Sequence, residues 1–252
     1  MPGAVIHNAL IVGNASAVGQ AVGASLLTGH LSDTVWRVTG VCRTRSLRVA
    51  QEGAGASRQL SVTDYDEASI ERLCRRFLRQ GDAFHRIVIC NGMLHRGELQ
   101  PEKRVEDFDP HAWSVVMKSN AMVPMLWLKH LLPVVREQSH RCELVVLSAR
   151  VGSIGDNRLG GWYSYRASKA ALNMMVATAS IEYQRRAPQA RITLFHPGTT
   201  DSPLSRPFQK RVPEGKLFQP EFVAKCLHDV LQQADAEAPL RFVDWSGEAI
   251  PW

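Results

Sequence analysis

Short apolar runs alternate with longer stretches of helical period along almost the whole chain. The strand-length runs are Ala9–Val12, Val35–Cys42, Ile87–Cys90, Leu144–Ser148, Arg191–Phe195 and Leu240–Val243, with a weaker one over Arg58–Val62. The helical stretches are Val18–Thr28, Asp66–Gln80, Pro110–Glu137, Tyr163–Arg186 and Pro220–Gln233. Strands that are apolar throughout bury both faces, which marks a parallel sheet with helices packed above and below. The pattern therefore predicts an α/β fold: one doubly wound parallel sheet, a single domain over residues 1–252, with ligands at the carboxyl ends of the strands. No repeat, low-complexity segment or linker divides the chain. The stretch from Pro197 to Pro220 holds five prolines and no clear period. A loop that long in a compact domain is usually functional, so a substrate lid is expected over about 197–220.

Composition adds little to this picture and removes several alternatives. With 252 residues, 45% hydrophobic and 21% charged, the chain can build a core without metals or disulfides. The longest apolar runs are strand-sized, far short of a membrane span. The first residues, MPGAVIHNALIVG, lack the basic start and long apolar core of a signal peptide. Five scattered cysteines, with no C-x-x-C, fit a reducing cytoplasm and offer neither a disulfide framework nor a metal site. The net charge of +6 raises the question of nucleic acid. The densest basic segment, ERLCRRFLRQ, carries Leu73, Phe77 and Leu78 at helical spacing, so its arginines form the solvated face of a packed helix. No nucleic-acid motif accompanies them.

Candidate chemistry gathers in three places. In GWYSYRASKAALNMM, Tyr165 and Lys169 stand four apart and share one face of a helix, whereas Tyr163 points elsewhere. Such a pair is either a plain surface contact or an acid–base couple. A phenol is a poor acid–base group at neutral pH, and a nearby ammonium is expected to lower its pKa. In ALIVGNASAVGQAVGASLL, Gly13 follows the first strand and Gly19 opens the next helix, where backbone amides attract a pyrophosphate. Met93, Leu94, Ile154, Trp162, Leu204 and Phe208 are expected to line an apolar substrate site, or to be core.

In order and placement these segments resemble the short-chain dehydrogenase/reductase family, nearly end to end. The family's T-G-x-x-x-G-x-G is matched by Val12, Gly13, Asn14, Ala15, Ser16, Ala17, Val18 and Gly19, with Val12 for Thr and Ala17 for the middle Gly. Its N-N-A-G is partly matched by Cys90, Asn91 and Gly92, its helix asparagine by Asn120, its Y-x-x-x-K by Tyr165 to Lys169, and its P-G by Pro197 and Gly198. The wording YRASKAALN and HPGTTDSPLSRPF is similar to the C-factor-like branch.

The resemblance implies a Rossmann-type sheet and a hydride-transferring carbonyl reductase, or alcohol dehydrogenase in reverse, acting on a small carbonyl or alcohol substrate. It implies a homodimer or homotetramer. Tyr165 would exchange the substrate proton, Lys169 would hold the nicotinamide ribose, and Asn120 would hold a water in the proton path. Cofactor contacts would come from Gly13, Asn14, Ala15, Ser16, Val18, Gly19, Asn91, Gly92, Pro197, Gly198 and Thr200, besides Tyr165 and Lys169. Ser61 and Val62 stand where relatives place Asp-Val against the adenine. After the second strand, Arg43, with Arg45 near it and no carboxylate between Val35 and Gln51, suits the 2′-phosphate of NADP(H) over NAD(H). Ser16 fills the slot of a second basic residue. One family feature is missing: by alignment the working serine of Ser-Ser-x-x-Gly is Ala149. Ser148 should face away, since neighbours on a strand alternate. Ser153, twelve residues before Tyr165, is the expected replacement. A low-turnover dinucleotide-binding sensor or signalling protein is the alternative.

Overall fold

The apolar runs become strands: β1 (Ile6–Val12), β2 (Val35–Cys42), β3 (Ser57–Ser61), β4 (Arg86–Ile89), β5 (Cys142–Leu147), β6 (Ala190–His196) and β9 (Leu240–Asp244). In this computed structural model, which describes residues 6–29, 34–43, 57–233 and 238–252, they form one sheet in the order β3-β2-β1-β4-β5-β6-β9. Every neighbouring pair in it is parallel. The order reverses between β1 and β4, and the crevice at that switch point is where such sheets bind ligands. Leu10, Ile11, Val12, Ile87, Val88 and Ile89 are completely buried, each contributing roughly 1.5–3 kcal/mol of burial.

Helices cover both faces. On one side lie α1 (Ala17–Leu27) and α6 (Pro220–Gln232), over a core built on Ile11, Val38, Val88, Phe195 and Leu227. On the other lie α2 (Glu67–Gln80), α4 (Val123–Arg136) and α5 (Tyr163–Arg186), packed on Leu10, Phe77, Ile87, Trp127, Leu131 and Leu172. Asp66 caps α2 by accepting from Ser69 N, and Gly81 ends it in the left-handed conformation. The basic face of α2 is exposed at Arg72, Arg75, Arg76 and Arg79, over the buried Leu73 and Phe77.

Two elements differ from the sequence pattern. The single helix expected over 110–137 is α3 (Pro110–Met117) and α4, joined by one π turn over Lys118–Met122. The extra residue per turn puts Asn120 wholly inside the protein, where hydrogen bonds outweigh its poor helix propensity. The lid segment is also not irregular. Thr199–Thr200 (β7) pairs in parallel with Leu217–Phe218 (β8), and a 3₁₀ helix over Arg206–Arg211 lies between them. Gly198 (φ +71°) lets Phe218 pack directly on the backbone, where a Cβ would come within 2.5 Å of the ring.

Candidate active site

The first βα turn is held by its own atoms. Gly13 (φ +77°) and Asn14 both donate to Val41 O, and a Cβ on Gly13 would meet Cys90 C at 3.2 Å. Ser16 caps α1: its Oγ donates to Gly13 O (2.8 Å) and accepts from Gly19 N (3.1 Å). Its hydroxyl is therefore spent inside the turn. Asn14 is buried and donates to Gln59 Oε1 (3.3 Å) across Gly40. Any Cβ on Gly40 would lie within 2.7 Å of both side chains. Ala15 is exposed and Val18 is buried.

Opposite this turn stands the end of β4. Asn91 Oδ1 is a buried acceptor with no described partner, while Gly92 is exposed. Val62 is buried and its N donates to Cys42 O, whereas Ser61 is exposed. Arg43 is exposed immediately past the carboxyl end of β2; Arg45 lies outside the described residues. At the start of the segment 197–220, Pro197 and Gly198 are half-buried, and Thr200 Oγ1 is a buried hydroxyl without a described partner. Glycine-made room in the first turn and orphaned polar atoms at Asn91 and Thr200 are what a dinucleotide across the switch point needs.

Tyr165 and Lys169 do share one face of α5. Lys169 Nζ is buried, donates to Leu147 O (3.0 Å), and lies 6.0 Å from the Tyr165 ring centre. The expected lowering of the phenol pKa is not found. Burial pushes Tyr165 up to about 12 and Lys169 down to about 8, because both charged forms lose solvation. At that separation the ammonium does not offset the desolvation. Asn120 Oδ1 accepts from Met93 N (2.7 Å), and its Nδ2 donates to Met93 O (2.8 Å) and Ser168 Oγ (3.0 Å). Both amide hydrogens are thus used to tie the tail of β4 to α5.

The serines divide as follows. Ser148 Oγ donates to Asn173 Oδ1 (2.6 Å) on α5. Ala149 is buried, and its methyl stands at the position expected for the hydroxyl. Ser153 is buried and its Oγ accepts from Asp156 N (3.1 Å), capping the following turn. The Ser153 proton has no described acceptor.

On the substrate side, Trp162 (φ +54°) meets Tyr165 edge-on at 6.1 Å and Phe208 at 5.1 Å. His95 meets Phe208 at 5.8 Å, and its Nε2 lies 3.1 Å from Pro203 O on the lid. Met93 and Leu204 are half-buried and Leu94 is buried. Ile154 is 79% exposed.

Two groups were not legible from the sequence. Glu102, in the loop after β4, is buried against the start of α5. Gln59 reaches the first turn only because Gly40 lies between them. Neither sits in a motif, and no periodic pattern marks either. Among the described residues no group of three His, Cys, Asp or Glu is placed to hold a metal, and no helix is long and apolar enough to cross a membrane.

Residues 7–213 match the family model described as short chain dehydrogenase. Over 134 residues the chain is 33% identical to C-signal of Myxococcus xanthus, covering 53% of this chain and 74% of that one. Over 199 residues it is 26% identical to 1-hydroxy-2-glutathionyl-2-methyl-3-butene dehydrogenase of Rhodococcus sp. (strain AD45), covering 79% and 82%. The crystal structure of NADPH-bound carbonyl reductase from chicken fatty liver superposes with a TM-score of 0.81 at 20% identity, covering 99% of this chain and 96% of that one.

Proposed function

The chain belongs to the short chain dehydrogenase family, and we propose that it is an NADP(H)-dependent oxidoreductase interconverting a carbonyl and an alcohol. The observation that carries this reading is the buried Lys169 beside Tyr165 at the carboxyl end of β5. A bound nicotinamide supplies or takes the hydride. In reduction Tyr165 gives its proton to the carbonyl oxygen; in oxidation it takes the hydroxyl proton. Lys169 would hold the ribose hydroxyls and, with the charged ring beside it, would favour the phenolate that burial alone disfavours. Gly13 to Gly19, Asn91, Thr200 and the P-G turn would hold the dinucleotide, and Arg43 would pair with the 2′-phosphate. Trp162, Phe208 and Leu204 offer the substrate an apolar wall.

A panel of aldehydes and ketones with the purified protein, followed by loss of NADPH absorbance, tests this. Turnover is expected, and Tyr165→Phe should lower kcat by about 10²–10⁴ while leaving NADPH affinity within a few-fold. Retention of most activity by that variant would remove Tyr165 from the mechanism. A second reading, a dinucleotide-binding signalling protein with little turnover, is favoured by the methyl of Ala149 and by the similarity to C-signal. Tight NADPH binding without oxidation by any carbonyl would select it.

A further inference from the structure

The opening turn of α5 lacks a cap of its own. The residue at the cap position is Trp162, whose indole accepts no hydrogen bond, and its backbone is left-handed after two glycines of positive φ. The first amides of a helix need acceptors, and here they come from a loop some sixty residues away. Glu102 O accepts from Trp162 N (2.6 Å), and the Glu102 carboxylate accepts from Ser164 N (3.2 Å to Oε2) and from the Ser164 hydroxyl. Both residues are buried, and among the described residues Glu102 makes no ion pair. Its compensation is the helix N-terminus, the place that favours a carboxylate, together with the Ser164 hydroxyl.

Ser164 immediately precedes Tyr165. Four residues on, Ser168 is held by Asn120. Glu102, Ser164 and Tyr165 also line one small cavity of about 10 Å³, room for a single water, closed by Leu94 and Val116. We propose that Glu102 is a positioning residue for Tyr165: through Ser164 it fixes the turn that presents the phenol. This rests on the acid–base role of Tyr165 given above.

The test compares Glu102→Gln, which keeps an acceptor oxygen and removes the charge, with Glu102→Ala, which removes both. In the holoenzyme, Glu102→Ala should lower kcat by about 10–100-fold, the scale of a small misplacement, with KM for NADPH unchanged within about threefold. Glu102→Gln, which keeps an acceptor for Ser164, should recover most of kcat and leave the Tyr165 ring signal at its wild-type position, whereas Glu102→Ala should shift it. That signal is read by NMR of ring-labelled tyrosine, with Tyr165 identified through Tyr165→Phe. Wild-type kcat in both variants together with an unmoved ring signal would overturn the proposal, as would a loss of thermal stability alone. The ring signal does not need turnover. An inactive wild type, or activity indifferent to Tyr165→Phe, would therefore sink the proposed function while the NMR result still decides the role of Glu102.

Discussion

At the scale of the residue, the question is which hydroxyl serves the site when the position expected to carry it is Ala149. Ser153 is the proposed substitute: its oxygen accepts from Asp156 N while its proton has no described acceptor. The Ser148 proton is already committed to Asn173. If Ser153 donates to the substrate oxygen, Ser153→Ala should slow turnover by about 10²–10³ and Ser148→Ala by much less. Steady-state kinetics of the two variants check this, and the reverse order would return Ser153 to a loop-capping role. The same residue scale explains the corrected phenol. Spacing brought Tyr165 and Lys169 to one face, but loss of solvation, not their mutual charge, sets the direction of both shifts.

At the scale of the element, helix and strand ends carry the chemistry. The parallel sheet delivers the first turn, the tail of β4, the end of β5 and the start of the segment 197–220 to one edge, and side chains there are fixed by bonds between elements. Asn120 ties β4 to α5, and Gln59 ties β3 to the turn before α1. The end of β2 delivers Arg43, exposed and positive. Replacing it by Asp sets a carboxylate against the 2′-phosphate and removes a charge-assisted bond of ~1.5–3 kcal/mol. Arg43→Asp should weaken NADPH by about 10–100-fold and leave NADH within a few-fold. Fluorescence titration of both cofactors checks it. Equal affinity of the wild type for NADH and NADPH would contradict the role of Arg43.

At the scale of the whole molecule, a column of histidines sits at the other edge of the sheet. His7 stacks on His85 (4.0 Å) and His85 on His140 (3.9 Å), at the amino ends of β1, β4 and β5. Burial and the neighbouring histidines depress His85 to about 4, and burial first among other causes depresses His196 to about 4 as well. The unfolded chain binds more protons than the folded one between that value and the ordinary 6.5. Stability is therefore complete above about 6.5 and falls as pH drops toward 4. Thermal unfolding scanned from pH 7 to 4 should show this loss, and His85→Gln should flatten it; a flat wild-type profile would contradict the assignment. The amino-acid sequence determined the sheet, the helices and the Tyr165–Lys169 face, because apolar period and i,i+4 spacing are local and survive in one dimension. It did not contain the π turn at Asn120, the folded lid, the raised phenol, the inward-turned Asn14 and Ser16, or the clamp of Glu102 on Ser164. Those depend on contacts between residues tens of positions apart and on how much water the packed chain excludes, which only the tertiary structure decides.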